Sequence, residues 1–342
     1  MKRLGMQLPI IQAPMAGVQG SALAIAVCNA GGLGSLPAAM LGPDALRQEL
    51  AAIRAGTDRP VNVNFFCHLP PVPDPARDAA WRAMLAPYRA ELGVPDGPDG
   101  GAARLPFGPE AADVLEEFRP EVVSFHFGLP SPELLERVRR MGSQVLSTAT
   151  TLAEARWLEE RGVDAIIAQG VEAGGHRGMF LTEEVGTQLS TMSFVPQLVD
   201  AVRVPVIAAG GIADARGVQA ALDLGAAAAQ VGTAYLLCPE ATTSRVHRAA
   251  LASPDWTALT NLFTGRPARG IVNRLMRELG SMNPAVPAFP LAAGALAALR
   301  AAAEARGSGD FSPLWCGQNV SGCRNVPAAE LTRALTAGVL ER

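Results

Sequence analysis

The stretch from residue 204 to residue 237 (VPVIAAGGIADARGVQAALDLGAAAAQVGTAYLL) contains the same pattern twice, an apolar run followed by a glycine-containing turn. The first run ends at Gly210 and Gly211, and the second ends in the QVGT sequence of residues 230–233. An amphipathic segment with Asp214 near its start lies between them. This order predicts strand, turn, helix, strand and turn, the repeating unit of a parallel sheet covered by helices.

The two glycine turns suit a phosphate group. Glycine lets the backbone approach a ligand closely, and the helix N-termini that follow such turns offer free N–H groups and a positive dipole end. The loops after strands seven and eight of a (β/α)8 barrel are a recurrent phosphate site. The alternative is that these glycines only allow close packing, which explains one glycine pair better than two consecutive turns. We therefore expect the last quarter of such a barrel, holding a phosphorylated cofactor.

The rest of the chain has the same rhythm. Apolar strand-like runs begin near residues 9, 32, 60, 121, 144, 164, 204 and 227, with helix-like segments between them. Eight such units predict an α/β fold of the TIM (β/α)8 barrel type, with insertions after strands three and six. We expect this barrel to span residues 1–240 and to bind the phosphorylated cofactor, with a lid-like excursion at residues 67–107. A helical C-terminal extension, residues 241–342, is expected to pack on the barrel.

The net charge and the cysteine content limit the kinds of partner and metal site that we expect. A net charge of −3 gives no basic footprint for nucleic acid or an anionic membrane, so a small-molecule substrate is expected. We find no adequate apolar stretch for a signal peptide or a membrane span, and predict a cytoplasmic protein. Five scattered cysteines without a CxxC pair predict free thiols and no metal site. Monomer and homodimer both remain open.

Lysine is almost absent from the sequence. Lys2 is the one lysine of the chain, and all its other basic side chains are arginine or histidine. Schiff-base aldolase chemistry, pyridoxal phosphate anchoring and a Walker A phosphate loop all require a lysine at a specific position. The sequence therefore excludes these three kinds of barrel or nucleotide chemistry.

Two histidines follow predicted strands. His176 lies in QGVEAGGHRG (residues 169–178), after strand six, with Gly174 and Gly175 directly before it. His126 ends strand four in SFHFG. Because the carboxyl ends of barrel strands converge, both imidazoles can reach one cavity, where histidine is the commonest general base. The alternative for each is a structural, hydrogen-bonded histidine at the barrel rim.

Other residues suit a flat heteroaromatic ring. The QAPMAGV sequence after strand one offers backbone groups of Ala13 and Pro14 and the side chain of Met15. Asn64 and Gln169 add amide donors and acceptors, which match the alternating edge of an isoalloxazine. A phosphate site combined with a flat-ring site predicts FMN rather than a sugar phosphate.

Taken together, QAPMAGV, NVNFF, SFHFG, QGVEAGGHRG, IAAGGIAD and QVGTAYLLCPEA resemble the bacterial nitronate monooxygenases, formerly called 2-nitropropane dioxygenases. The resemblance spans residues 9–241 and continues more loosely through TGRPARGIVN (residues 264–273). It implies an FMN-dependent TIM-barrel enzyme that uses O2 to oxidise alkyl nitronates, and possibly nitroalkanes, to carbonyl compounds and nitrite.

The resemblance also implies roles for individual residues. His176 matches the proposed catalytic histidine, and His126 matches a second active-site histidine placed to contact the nitro group. The FMN-binding residues expected from motif matches and from the residue patterns above are Ala13, Pro14, Met15, Asn64, Gln169, Gly174, Gly175, Gly210, Gly211, Gln230, Val231, Gly232 and Thr233.

Two other functional classes remain open. The EAGGH loop and the phosphate turns also resemble those of FMN-dependent NAD(P)H reductases of the same superfamily, of the enoyl-acyl-carrier-protein or quinone reductase kind. SFHFG favours the oxygenase. A flavin-binding sensor without turnover is the non-enzymatic alternative. A dehydrogenase of the inosine-monophosphate type is disfavoured, because the glycine-rich loop after strand six has no cysteine.

Overall fold

Eight parallel strands form the central sheet of the computed structural model, which describes residues 4–95, 97, 100, 104–253 and 256–339. In chain order the strands are β1 (Ile10–Gln12), β2 (Gly34–Pro37), β3 (Val61–Phe66), β4 (Val122–His126), β5 (Gln144–Ala149), β6 (Ala165–Gln169), β7 (Gly175–His176), β8 (Val206–Ala209), β9 (Ala228–Val231), β10 (Thr257–Thr260) and β11 (Ala268–Ile271). The central sheet has the order β1-β9-β8-β6-β5-β4-β3-β2, and β7, β10 and β11 form a separate sheet.

The central sheet closes on itself. A parallel bridge joins Ile11 of β1 to Leu33, just before β2. The Leu33 N–H donates to the Ile10 carbonyl at 2.9 Å, and the Leu33 carbonyl accepts from the Gln12 N–H at 2.9 Å. The predicted TIM barrel is confirmed, since all eight expected strand starts lie within two residues of the observed ones.

Helices lie between the barrel strands, as predicted. The helices are α1 (Ser21–Asn29), α2 (Pro43–Gly56), α3 (Pro75–Leu92), α4 (Pro109–Phe118), α5 (Pro132–Arg140), α6 (Leu152–Glu160), α7 (Thr191–Ala201), α8 (Ala215–Asp223), α9 (Arg245–Ala252), α10 (Arg274–Leu279), α11 (Ala292–Ala305) and α12 (Ala328–Ala334). Of these, α10 falls in a stretch for which no helix was predicted. Ser131, Thr151 and Ser190 cap α5, α6 and α7 by accepting a backbone N–H with the side-chain oxygen. Over the described residues, no helix is both long and apolar enough to cross a bilayer.

Buried apolar side chains form two layers, one between the sheet and the helices and one inside the barrel. A large core lies between the sheet and the helices. A smaller core inside the barrel contains Ile11, Leu33, Leu146, Ile167 and Ile207, and Leu4 packs into it. Because these inward side chains fill the barrel interior, a ligand has room only at the carboxyl ends of the strands.

The excursion after β3 and the chain beyond residue 240 share a separate core. Trp81 and Leu85 of α3 are buried with Leu296 and Leu299 of α11. The Trp81 indole N–H donates to the Ala292 carbonyl at 3.4 Å. The predicted lid function of residues 67–107, and the proposed division at residue 240, stay predictions.

The C-terminal extension is helical, as expected, but it also contains an antiparallel strand pair that the sequence analysis did not predict. β10 pairs with β11, and β11 pairs with the short β7. In the register of β11 and β7, Ala268 lies opposite His176. The extension therefore contributes directly to the position of the predicted catalytic histidine.

Candidate active site

The strand ends surround one cavity at the open end of the barrel. Of the residues predicted from the sequence, those that line this cavity are Ala13, Pro14, Met15, Asn64, His126, Gln169, Gly174, Gly175, His176, Gly210, Gly211, Gln230, Gly232 and Thr233. Val231 lies outside its wall. The Val231 side chain packs in the core, and its carbonyl accepts the Ala13 N–H at 2.8 Å.

The glycine turns present unpaired backbone donors. Gly210 and Gly211 have φ values of 121° and 71°, which L-residues with a side chain rarely adopt. In the described part of the chain, the N–H groups of Gly211, Gly232 and Thr233 donate no hydrogen bond. Free backbone N–H groups of this kind can donate hydrogen bonds to a bound anion.

The helix that follows the first turn is already capped, which corrects part of the sequence argument. The Asp214 carboxylate accepts the Gly217 N–H at 3.0 Å, so the α8 N-terminus is not simply free for an anion. The sequence signal for this cap was Asp214 itself, since aspartate is a preferred N-cap residue. Any phosphate at this edge would therefore bind mainly to the N–H groups of the turns.

The C-terminal segment contacts three loops around the cavity. The Gly317 N–H donates to the Thr233 hydroxyl at 2.9 Å, and the Asn319 side-chain amide donates to the Gly211 carbonyl at 2.9 Å. A Cβ atom on Gly174 would lie 2.5 Å from the Gly317 nitrogen. Close approach of two backbones explains why glycine occupies position 174.

His176 lies among aromatic rings. Its ring centroid is 5.4 Å from that of Phe289 and 5.5 Å from that of Trp315. Burial is the main cause that holds the pKa of His176 well below its usual range, and the Arg104 charge acts in the same direction. The imidazole is therefore neutral near pH 7. Its Nε2 lies 2.9 Å from the Thr264 hydroxyl.

His126 is held in one tautomer. Its Nε2 lies 3.2 Å from the His176 carbonyl, which can only accept, so Nε2 carries the proton. Its Nδ1 then accepts from the Thr148 hydroxyl at 3.1 Å. Burial lowers the pKa of His126 to about 3. Because both ring nitrogens have protein partners, His126 positions the backbone of His176.

The amide side chains differ in what they leave for a ligand. Gln169 braces the loop, since its Nε2 donates to the His176 carbonyl at 2.9 Å and its Oε1 accepts the Gly178 N–H at 2.8 Å. Asn64 uses its Nδ2 on the carbonyl and hydroxyl of Ser124. The Gln230 Oε1 is buried, and no residue in the described part of the chain donates a hydrogen bond to it. The cavity therefore has an acceptor, at Gln230, that suits the donor groups of a polar cofactor.

Sequence analysis missed several lining residues. Arg104, Thr148, Trp315 and Asn319 line the cavity, and Thr264 contacts His176 from behind. Arg104 lies in the proline- and glycine-rich excursion, where no periodic pattern predicts which side chains point inward. One sequence feature could have pointed to Thr264 as a site residue. It is the sequence TGRPARGIVN (residues 264–273), which belongs to the family resemblance.

The buried histidines should make the fold acid-sensitive. Burial lowers the pKa values of His68 and His247 to about 4, while an unfolded histidine titrates near 6.5. Below pH 6.5 the unfolded chain binds more protons, so stability should fall as the pH drops toward 4, by about 1.4 kcal/mol per pH unit per histidine. Urea unfolding of wild type and His247→Gln at pH 7.5 and 5.5 tests this. An equal pH effect in both proteins would contradict it.

The chain is similar to known proteins over nearly its full length. The nitronate monooxygenase family profile matches residues 1–338. A protein named nitronate monooxygenase from Pseudomonas aeruginosa is 45% identical over 97% of this chain and 96% of its own. One of the same name from Paraburkholderia phytofirmans is 43% identical, covering 97% of this chain and 92% of its own.

Solved structures agree with the fold. A nitroalkane oxidase from Streptomyces ansochromogenes is 41% identical and superimposes with a TM-score of 0.89, covering 98% of this chain and 97% of its own. FabK from Thermotoga maritima is 26% identical, with a TM-score of 0.74 over 99% of this chain and 95% of its own.

Proposed function

Because the chain belongs to the nitronate monooxygenase family, we propose that it oxidises alkyl nitronates with FMN and O2 to carbonyl compounds and nitrite. Overall, two nitronate anions and one O2 would yield two carbonyl compounds and two nitrite ions, which balances atoms, charge and electrons. The observation that carries the proposal is the neutral, buried His176 beside the paired glycine turns in one cavity.

The lining residues fit FMN. The free N–H groups of Gly211, Gly232 and Thr233 would bind its phosphate. The unpaired Gln230 oxygen would accept from its polar groups, and Met15 would contact its ring. When bound, the flavin ring supplies the electron acceptor for the nitronate.

Two groups on the chain suit an anionic substrate. A nitronate carries its negative charge on the nitro oxygens, so it needs hydrogen-bond donors and positive charge rather than a base. His176 has one ring nitrogen, Nδ1, for which the described residues provide no hydrogen-bond partner. Arg104 lines the same cavity with a cationic side chain. We propose that these two groups orient the nitronate.

Thr264 should control the tautomer of His176. Its hydroxyl lies 2.9 Å from Nε2 and 3.4 Å from the Arg266 carbonyl. The hydroxyl has a single proton, which either the Arg266 carbonyl or Nε2 can accept. We propose that it goes to Nε2, the nearer of the two, so that Nδ1 carries the imidazole proton and can donate to a nitro oxygen. Thr264→Val should lower kcat/KM for ethylnitronate about fivefold, the loss of one hydrogen bond of ~1 kcal/mol.

Thr264→Ser is the matched control for this prediction, because it keeps the hydroxyl. Its kcat/KM should return close to the wild-type value. Equal losses in the serine and valine variants would show that the methyl packing of Thr264, and not its hydroxyl, matters.

The second candidate function is that of an FMN-dependent NAD(P)H reductase, and the structural similarity to FabK supports it. Anaerobic mixing of the purified flavoprotein with NADH or with ethylnitronate separates the two functions. Reduction by the nitronate alone, with nitrite released in air, supports the oxygenase. Prompt bleaching by NADH without nitrite formation from any nitronate would support the reductase.

A further inference from the structure

A second cavity, of about 690 Å³, adjoins the active-site cavity. Its wall is mostly apolar and comes from both the β3 excursion and α11. Leu105, Phe263, Leu296 and Phe311 contribute to it. Its polar side chains are His68, Arg104 and the pair of Arg300 and Glu304, which lie 2.8 Å apart. Such a wall suits hydrocarbon rather than a charged or hydroxylated group.

Two side chains separate the two cavities. Met40 and Arg104 line both of them. Methionine is unbranched and flexible, so Met40 can change rotamer to connect the two spaces. The boundary between the two cavities therefore includes one flexible side chain and one cation, with His176 on the side of the first cavity.

Arg104 has no counter-charge among the residues that the structure describes. Across residues 4–95, 97, 100, 104–253 and 256–339, no hydrogen bond or ion pair to its guanidinium is found. Burial lowers the pKa of the Arg104 guanidinium, and the like charge of Arg300 acts in the same direction. An arginine that is largely removed from water without a partner is unfavourable, and an anionic ligand relieves that cost.

An anion at Arg104 would have apolar space behind it. The reacting end would face His176 in the first cavity, and any hydrocarbon attached to it would lie along Met40 toward the buried side chains of Phe263 and Leu296. A short nitronate such as ethylnitronate would use only the first part of this path. The second cavity has a role only for a longer molecule.

We propose that the second cavity binds the apolar tail of the substrate, so that the enzyme prefers nitronates with long alkyl chains. This rests on the proposed nitronate oxidation. Each methylene that enters the apolar cavity should improve kcat/KM by about fourfold at most, the gain from burying one CH2. Chains too short to pass Met40 gain nothing from it.

Binding can be tested apart from turnover. Linear carboxylates from butanoate to decanoate are unreactive anions of increasing length, and calorimetry gives their Kd values for the holoenzyme. The same comparison in turnover uses kcat/KM of ethylnitronate, hexylnitronate and decylnitronate. We expect Kd to fall, and kcat/KM to rise, with chain length.

Three variants test the binding of the apolar tail separately from the binding of the anionic group. Ala297 lines the second cavity, and Ala297→Phe should fill it and remove the chain-length dependence. Ala298 lies next to it on α11, is exposed and does not line the cavity, so Ala298→Phe is the matched control. Arg104→Gln should weaken all the carboxylates by a similar factor and leave the chain-length dependence unchanged.

The wild-type series decides the matter even if a variant fails to fold. Kd and kcat/KM values that do not change with chain length would overturn the proposal, as would an unchanged dependence in folded Ala297→Phe. If no nitronate yields nitrite, the proposed function fails, while the carboxylate series still reports whether the cavity binds an apolar tail.

Discussion

Gly211→Val should give a folded protein that purifies largely without flavin. The φ of 71° at Gly211 is one that a β-branched residue almost never adopts, so the turn has to change its path. A Cβ at this position would also lie 3.4 Å from the Glu172 Cβ. The N–H donors proposed for the phosphate would then no longer point together. The ratio of flavin to protein absorbance after purification measures the loss.

A control glycine exists away from the cavity. Gly186 has ordinary φ, and a Cβ added there would meet no atom within 4 Å, so Gly186→Val should retain flavin. Circular dichroism and a thermal melt of both variants check that they fold. Full flavin content in folded Gly211→Val would place the phosphate site elsewhere.

His176→Asn should lower kcat/KM for ethylnitronate by one to three orders of magnitude, as for loss of a donor to a developing or bound anion. The substrate is already an anion, so no base is required. The low pKa of His176 agrees with this role, because a base there would have to become a cation in a buried site beside Arg104. For the same reason, kcat/KM of the wild type should show no histidine titration between about pH 6 and 8.

Neutral nitroethane separates the two roles of His176. If His176 is only a donor, the rates with nitroethane and ethylnitronate should fall together in His176→Asn. If it is the base, nitroethane turnover is lost and nitronate turnover is kept. His126→Ala should cost less, because both its ring nitrogens bond to Thr148 and the His176 carbonyl. Wild-type rates in flavin-loaded His176→Asn would make the histidine structural.

The barrel was predictable because its signals are local. Each strand is an apolar run with its own boundary, and the carboxyl ends of such strands must converge. That rule alone predicts that His126, Asn64 and Gln230 lie around one cavity. The same period of two explains the outlier, since Val231 follows Gln230 along β9 and must face the opposite side, toward the helices.

The rest of the site depends on contacts between distant segments. β7 has only two residues, too few for any alternation, and it forms because β11 pairs with it. Thr264 meets His176 across 88 positions of sequence. Arg104 follows a run of proline and glycine that has no periodicity. No pattern within a short window contains such information.

The contacts of Trp315, Gly317 and Asn319 with His176, Thr233 and Gly211 have a consequence for biosynthesis. During synthesis, the C-terminal segment leaves the ribosome after all eight barrel strands, and domains begin to fold as they emerge. A nascent chain that ends before Trp315 has all eight barrel strands but lacks the segment that closes the cavity. If the chain binds a flavin as proposed, we expect stable loading only after this segment has emerged, and a stalled or C-terminally truncated chain should accumulate as a colourless barrel.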